Sequence, residues 1–345
     1  ETHACAMAKD GPGAEVADYF IQINILDKEA IIDYITTNNL SLVYSVGSDL
    51  AIPVSSYICE KLSLPHFVSE QTALICNNKN LLRETLGNDF EGNVKFQVVA
   101  DVNEKIDLDF PFIVKPADSQ GQRGVELVNN LDEYKRSFER AQNYSRSRKV
   151  ILEQYISGPE LSVNGYLVNG KLEFFIVSDR DTWDQYLGLI HKHIVPSTII
   201  NEDIKEKIRE IIENACEKLK IKNGPVYAQM KLEGDRPYII EITPRLDGCH
   251  MWKLLQLYTG VNLLKLTFEH LLNNNISELE NLKKDFNKGY TLEFICQEPN
   301  TKANYVAYED RIKNSLDSFK YYNQGDIIRP VNGKYEKIGY FIYSN

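Results

Sequence analysis

A chain of 345 residues is too long for one compact core and is typical of about two or three domains. The net charge of −10 argues against a nucleic-acid surface, because phosphate neutralisation needs clustered lysine and arginine. No apolar run approaches the roughly 20 residues of a membrane span, and no signal peptide opens the sequence. Six scattered cysteines without metal-ligand spacing indicate reduced thiols and a cytoplasmic globular protein.

The N-terminal region alternates between strands and helices. The expected elements are a strand over 16–25, a helix over 27–39, a strand over 41–46 and a helix over 53–64. Asp27 is the expected N-cap of the first helix, and a Gly47-Ser48-Asp49 turn precedes the second helix. This order predicts a parallel, doubly wound sheet. The sequence starts at Glu1 without a leading strand, which indicates an incomplete first βα unit.

From about residue 94 the sequence becomes rich in strand patterns, with a few helices between them. The expected strands cover 94–102, 110–116, 124–128, 149–156, 161–168, 171–177, a hairpin within 226–243, and tail segments 325–330 and 337–343. The expected helices cover 69–87, 132–144, 201–220 and 252–272, the last broken at Gly260. The helix over 201–220 is clearly amphipathic.

The first pattern with chemical content is FPFIVKPADSQGQRGVELV, in which Lys115 ends a strand and a glycine-containing loop over 118–124 follows. Such a loop can surround phosphate oxygens with backbone N–H groups while the ammonium supplies charge. It is neither a Walker loop, which needs GK[ST], nor a GxGxxG fingerprint. Taken alone, a surface hairpin is the alternative interpretation.

The second pattern is ILEQYISGPELSV, where Glu153 and Glu160 flank a break between two strands. A segment that leaves a strand can offer free backbone groups to an adenine edge, while a carboxylate binds ribose hydroxyls. Two solvated glutamates at a strand break are the alternative interpretation.

The third pattern is a hairpin that ends in YIIEITPR. A three-residue loop over 234–236 would place Gln229 opposite Glu241, with Thr243 on the same face. Oxygen ligands on paired strands suit Mg²⁺, which also keeps phosphates as partners. Arg245 could meet an anionic substrate or the transferred phosphoryl group. The alternative is that Glu241 pairs with a buried arginine or lysine.

In this order and spacing, the three patterns resemble the ATP-grasp superfamily, in particular the carboxylate–amine ligase branch similar to carbamoyl-phosphate synthetase and biotin carboxylase. The resemblance covers nearly the whole chain. It implies an α/β and α+β fold with an N-terminal doubly wound parallel domain, a two-lobed ATP-grasp fold and a small C-terminal β element. The implied domains are 1–105 (pre-ATP-grasp α/β domain with a linker helix, lacking its first strand and helix), 106–180 (small lobe with the glycine lid), 181–285 (large lobe with the metal-binding hairpin) and 286–345 (C-terminal β element packing on the grasp).

The resemblance also implies a role for each matching residue. Those roles are phosphate contacts for Lys79 and Lys115, a lid containing Ser119, Gln120 and Gly121, an adenine site at Glu153, Gln154 and Ile156, a ribose contact at Glu160, metal ligands at Gln229, Glu241 and Thr243, catalysis by Lys115 and Arg245, and substrate contacts at Arg180, His193 and Arg245. The family usually has asparagine where Thr243 stands, and a hydroxyl binds metal more weakly than an amide oxygen, so we expect an altered second metal site. Asp179, Trp183 and His191 are further candidate substrate contacts.

The activity implied by the resemblance is ATP-dependent ligation, with Mg²⁺ as cofactor and Mn²⁺ as a substitute. A small carboxylic acid attacks ATP to give an acyl phosphate, and an amine or similar nucleophile displaces the phosphate. Biotin-dependent carboxylation is disfavoured, because no biotin-carrier motif is present. The expected partners are ATP, the two small substrates and a second subunit of a homodimer, with no nucleic acid or membrane. The alternative is a catalytically silent ATP-binding regulatory module of the same fold.

Overall fold

The computed structural model describes residues 1–9, 11–118, 124–186, 188–283, 288–331 and 335–345. These residues form a two-stranded parallel sheet, a four-stranded antiparallel sheet and an eight-stranded antiparallel sheet. Within those ranges, no helix is both long enough and apolar enough to span a bilayer.

The N-terminal region contains the parallel sheet and five helices within its described residues. Its elements are β1 His3–Ala6, α1 Pro12–Val16, β2 Tyr19–Gln22, α2 Lys28–Thr37, α3 Ala51–Leu62, α4 Glu70–Asn77 and α5 Lys79–Leu86. Asp27 caps α2 as predicted, since its carboxylate accepts a hydrogen bond from the backbone N–H of Ala30 at 3.1 Å. The single helix predicted over 69–87 is divided into α4 and α5 at Asn78, which caps α5.

Two N-terminal expectations are wrong. A strand does precede residue 16, because β1 pairs in parallel with β2. The segment 41–46 forms no strand. Val43 packs with the apolar residues of α2 and α3, and the ring of Tyr44 contacts Phe67 and Phe268. Side-chain packing therefore holds this segment in place without a backbone ladder, and the parallel sheet is smaller than predicted.

The four-stranded sheet and one helix form the small lobe. Its elements are β3 Phe96–Val99, β4 Phe112–Pro116, β5 Glu126–Val128, α6 Leu131–Tyr144 and β6 Val150–Gln154, with sheet order β3-β6-β4-β5. Tyr134 and Phe138 of α6 pack on Phe112, Val114 and Leu152 of the sheet, all buried. The lobe thus has its own apolar core.

The eight-stranded sheet is the frame of the large lobe. Its strands are β7 Glu160–Val168, β8 Lys171–Thr182, β9 Ile190–Val195, β10 Gly224–Glu233, β11 Arg236–Thr243, β12 Tyr290–Gln297, β13 Asp317–Lys320 and β14 Glu336–Ser344, in the order β11-β10-β7-β8-β9-β12-β14-β13. The helices of this part are α7 Glu202–Lys218, α8 Met251–Thr259, α9 Leu263–Asn273 and α10 Glu309–Lys313, with short 3-10 helices at Ser277–Asn281 and Val306–Tyr308.

Helices cover both faces of this sheet, because its strands alternate between two apolar clusters. Leu161 and Val163 of β7 join α7 in one cluster, while Tyr166 of the same strand joins α8 and α9 in the other. Helix α7 begins at the cap Asn201, whose side chain accepts from Ile204 N, and it buries the apolar face predicted from its period.

The sheets do not follow the predicted domain ranges. The domain boundaries themselves stay a prediction. Strand β3, placed in the N-terminal domain by the sequence, belongs to the small-lobe sheet, whereas β7 and β8 belong to the large-lobe sheet. The C-terminal strands β12 to β14 continue that same sheet. The predicted boundary at 285–286 lies outside the described residues.

Candidate active site

The hairpin of β10 and β11 pairs Gln229 with Glu241, as the sequence predicts, and it also pairs Tyr227 with Thr243. The predicted three-residue loop is wrong, because Glu233 already pairs with Arg236 across a two-residue turn. A β-bulge at residue 240 supplies the missing residue and restores the register. The correct pairing therefore arises from a tighter turn followed by a bulge.

Arg83 of α5 supports this bulge from the N-terminal side. Its Nη1 donates to the carbonyl of Ile239 at 2.8 Å and its Nη2 to the carbonyl of Ile240 at 3.0 Å. Its Nε donates to Glu153 of β6 at 3.0 Å. One guanidinium, only 1% exposed, thus links the small lobe to the strand that carries Glu241. Sequence reasoning missed this role; the available signal was a second cation four residues after Lys79.

Glu153 also pairs with Lys115 of β4, whose Nζ lies 2.5 Å from the second carboxylate oxygen. Burial raises the pKa of Glu153, but the charges of Arg83 and Lys115 outweigh it and hold the pKa at about 2. Burial lowers the pKa of Lys115, and the Glu153 charge opposes that effect only in part. Glu153, which was predicted to lie near adenine, therefore forms an ion pair with Lys115, which was predicted to contact phosphate.

The other residues predicted around the nucleotide lie near these two. The backbone N–H of Lys79, the first residue of α5, donates to the carbonyl of Ala117 at 3.2 Å, so it meets the start of the predicted lid. The carboxylate of Asp118 accepts hydrogen bonds from Ser145 Oγ and from the backbone N–H groups of Arg146 and Ser147. Ser119, Gln120 and Gly121 lie outside the described residues.

Beyond β6, the segment predicted to contact adenine runs alongside the large lobe. The backbone N–H of Gln154 donates to Lys95 O, and the carbonyl of Ile156 accepts from Lys231 Nζ at 3.3 Å. Gly158 has a positive φ of 126°, and a Cβ there would lie 2.1 Å from the carbonyl oxygen of Leu232. Only glycine fits this crossing between the lobes.

Glu241 lies where cations from both lobes meet. Burial raises its pKa, and the charge of Asp49 acts in the same direction; the charges of Lys79, Arg245 and Lys115 lower it, without cancelling the first two effects. Three predicted site cations therefore act on one half-buried carboxylate. This is the convergence that phosphoryl chemistry needs.

Arg245 has a partner that the sequence analysis did not foresee. Its Nε and Nη2 donate to the two carboxylate oxygens of Asp49 at 2.6 and 2.8 Å, and Thr243 Oγ1 donates to the first of these oxygens at 3.2 Å. Asp49 comes from the turn before α3, about two hundred positions earlier in the chain. The sequence signal was a carboxylate in a glycine-containing turn that precedes a helix.

Glu160 connects three of the predicted roles. Its carboxylate accepts hydrogen bonds from Arg180 Nη1 and, at 2.9 Å, from Gln229 Nε2. Arg180 lies opposite Glu160 on β8, and Gln229 lies on β10, the strand on the other side of β7. The predicted ribose, substrate and metal residues therefore form one contact group.

Next to this group lies what we call the buried polar cluster, defined as the buried Arg180, His193 and Asp247 together with the half-buried Lys337. Within the described residues, Arg180 Nε, both ring nitrogens of His193 and Asp247 Oδ2 are buried without a hydrogen-bond partner. Burial raises the pKa of Asp247, against the charges of Arg245, Arg180 and Lys337. Burial and the charges of Arg180 and Lys337 all lower the pKa of His193, which keeps the ring neutral. Sequence reasoning missed Asp247, two residues after Arg245.

The remaining substrate candidates make structural contacts. Asp179 is held by the hydroxyl of Ser197 and by the backbone and hydroxyl of Thr198. His191 stacks on Trp183 with ring centroids 3.8 Å apart. Trp183 Nε1 is nevertheless buried without a hydrogen-bond partner among the described residues.

The two lobes thus bring lysines, a carboxylate and an arginine into one region. A family model described as "ATP-grasp domain" matches residues 108–252. Residues 108–252 are therefore similar to ATP-grasp domains, the family that the sequence patterns resemble.

Three comparisons extend this result. The chain is 26% identical over 289 residues to the alanine–anticapsin ligase of Bacillus amyloliquefaciens, covering 76% of this chain and 58% of that ligase. It is 26% identical over 195 residues to the carbamoyl phosphate synthase large chain of Clostridium acetobutylicum, covering 54% of this chain but 17% of that protein. The crystal structure of L-amino acid ligase from Bacillus licheniformis superposes with a TM-score of 0.77 at 19% identity, covering 95% of this chain and 82% of that one. The chain spans little more than half the length of the alanine–anticapsin ligases that it matches.

Proposed function

We propose that this protein is an ATP-dependent ligase that activates a small carboxylic acid as an acyl phosphate and couples it to an amine or similar nucleophile. The carboxylate oxygen attacks the γ-phosphorus of ATP and ADP leaves. The nucleophile then attacks the acyl carbon and inorganic phosphate leaves. The observation that carries the proposal is the convergence of Lys79, Lys115 and Arg245 on Glu241.

The first step brings two anions together, so its barrier is largely electrostatic. We expect Lys79 and Lys115 to neutralise ATP phosphates, and Arg245 to bind the reacting carboxylate or the transferred phosphoryl group. The Glu153 and Arg83 network fixes Lys115 before ATP arrives, so no reorganisation of that lysine is needed. A silent regulatory module would not require this convergence of charges.

The donor set fits Mg²⁺, with Mn²⁺ as a substitute, at one position. Glu241 offers a carboxylate. Gln229 offers its amide oxygen, because its amide nitrogen already donates to Glu160. Bound Mg²⁺ would neutralise phosphate charge, and it commonly takes one or two protein carboxylates plus phosphate oxygens. Thr243 uses its hydroxyl proton on Asp49, which leaves only a weak oxygen ligand for a second ion. No group of three or more His, Cys, Asp or Glu side chains within the described ranges could hold a metal by itself.

The buried polar cluster is the proposed site of the acid. Arg180 Nε is an unused donor and Asp247 Oδ2 an unused acceptor, and leaving either buried without a partner is costly. A substrate that carries a carboxylate and a hydrogen-bond donor would satisfy both. His193 and Arg245 complete the predicted substrate contacts. The name of the alanine–anticapsin ligase agrees with a small acid joined to an amine. The homodimer stays a prediction, which sedimentation of the purified protein would test.

The test uses hydroxylamine, which intercepts acyl phosphates whatever the natural amine is. The protein is incubated with MgATP, hydroxylamine and pools of small carboxylic acids, and both hydroxamate and ADP are measured. We expect one pool to give hydroxamate, and Glu241→Ala to abolish it. The matched control is Glu217→Ala, which removes an exposed carboxylate on α7 and should leave the rate unchanged. ATP binding without hydroxamate from any pool would contradict the ligase.

A further inference from the structure

Asp49 belongs to the N-terminal region, yet it contacts the predicted catalytic arginine. Three donors meet its carboxylate: Arg245 Nε at 2.6 Å, Arg245 Nη2 at 2.8 Å and Thr243 Oγ1 at 3.2 Å. A guanidinium bound through two nitrogens by one carboxylate has its plane and its rotation both fixed. Nothing in the proposed reaction by itself calls for this carboxylate.

The backbone around both residues holds this contact in place. A Cβ on Gly47 would lie 3.2 Å from the Cα of Gly248, and one on Gly248 would lie 3.4 Å from the carbonyl oxygen of Gly47. The two glycines thus let the turn before α3 approach the loop after β11 closely. The carbonyl of Ser48 accepts from the first two N–H groups of α3, which fixes the turn to that helix. The backbone of Asp49 is therefore fixed independently of its contact with Arg245.

The remaining donors of Arg245 show what this contact achieves. Asp49 takes two of the five guanidinium N–H groups, and the carbonyl of Leu246 takes a third, from Nη1 at 2.9 Å. Two N–H groups remain, one on each terminal nitrogen. Arg245 is 7% exposed, so these two donors are its means of binding an anion.

We propose that Asp49 is a positioning residue, which fixes the guanidinium of Arg245 and presents its two remaining N–H groups to the reacting anion. The inference rests on the proposed function, because it assigns Arg245 to the reaction. A blocking role, in which the substrate carboxylate must displace Asp49, is the opposite proposal. Displacement would break two charge-assisted bonds and a hydroxyl contact within a turn that close backbone packing holds in place.

The test is Asp49→Asn, which keeps the size of the side chain but loses its charge and one acceptor oxygen. We expect kcat in the hydroxamate assay to fall about 10-fold to 100-fold, since a small misplacement of a catalytic group has effects of that order. The KM for MgATP should change less than about twofold, because the proposed ATP contacts come from elsewhere. Glu29→Gln is the matched control, since it removes a carboxylate that forms an exposed ion pair with Lys61 in the same region. It should leave all kinetic constants unchanged.

A second measurement does not depend on turnover. Isotope-labelled arginine gives an Nε–H resonance for Arg245, identified by its loss in Arg245→Lys. We expect its exchange with water to be slow in the unaltered protein and at least about tenfold faster in Asp49→Asn. Unchanged exchange, a kcat within twofold of the unaltered protein, or a fall in the KM for the acid would overturn the proposal. If the unaltered protein makes no hydroxamate, the proposed function fails, and the exchange rate alone decides whether Asp49 fixes Arg245.

Discussion

The small lobe and the large lobe both bury charged side chains beside the proposed ATP site, but they pair them differently. In the small lobe, Glu153 is bound by Arg83 and Lys115, and Arg83 also donates to two backbone carbonyls and to Asn93 Oδ1. In the large lobe, Arg180 and Asp247 keep buried polar atoms without partners. A satisfied buried network stabilises one geometry, whereas unsatisfied groups carry a cost that a ligand can remove. We infer that the small-lobe network fixes the positions of the proposed ATP-binding residues, and that the unpaired groups of the large lobe recognise the substrate.

The largest expected effect falls where the two lobes meet. Glu241→Gln should lower kcat at least about 100-fold, because metal and charge stabilisation of a phosphoryl transition state supplies several kcal/mol. The unfolding free energy should not fall, since the burial that raises the pKa of Glu241 also makes its charge costly. Kinetics and urea denaturation of one preparation measure both quantities. Full activity in this variant would remove Glu241 from the reaction.

The next prediction breaks the satisfied network. Arg83→Met should lower the free energy of unfolding by about 3–5 kcal/mol, because it leaves the buried Glu153 with one cation and two bulge carbonyls without their donor. Arg180→Met is the comparison, and its cost should be smaller, since Glu160 keeps its bond from Gln229. Urea denaturation of both variants measures the difference. Equal costs would show that the two lobes do not differ as proposed.

A smaller effect should distinguish recognition from stability in the large lobe. Asp247→Asn keeps the acceptor that binds the backbone N–H of Cys249 but removes the charge. We expect the KM for the acid to rise about tenfold, as for one lost hydrogen bond to a charged group, with the melting temperature unchanged. Substrate titration and thermal unfolding provide the two measurements. A lower melting temperature with an unchanged KM would assign Asp247 a structural role instead.

The last prediction concerns pH and affects only a window below neutrality. Since the pKa of Glu153 is about 2 in the folded protein and about 4.3 when unfolded, its charge stabilises the fold above the unfolded value. That contribution is lost as pH falls from about 4.3 through about 2. Glu153→Gln should therefore weaken the decline of the unfolding free energy across this window, measured by urea denaturation at several pH values. Some decline should persist, because the pKa of Glu293 is also about 2. An unaltered decline would show that Glu153 titrates normally.

Local patterns predicted the parts of the site that lie close together in the chain. The pairing of Gln229 with Glu241 follows from the period of two along each strand, and it held although the turn was shorter than expected. The cap at Asp27 and the apolar face of α7 follow from similarly local rules. The prediction of a strand over 41–46 was wrong, because an apolar run can also pack on helices. The run itself does not indicate whether a neighbouring strand will pair with it.

By itself, the sequence determined most of the strands of the two lobes, the register of the hairpin, and the set of lysines, carboxylates and arginine that the proposed reaction needs. Only the tertiary structure decided which charges meet: Arg83 with Glu153, 70 positions apart, and Asp49 with Arg245, 196 positions apart. Propensity and periodicity act over a few residues, whereas a buried charge takes whichever partner the packing of distant elements brings within about 3 Å. Because of the same packing, Arg180 Nε and Asp247 Oδ2 are buried without a hydrogen-bond partner.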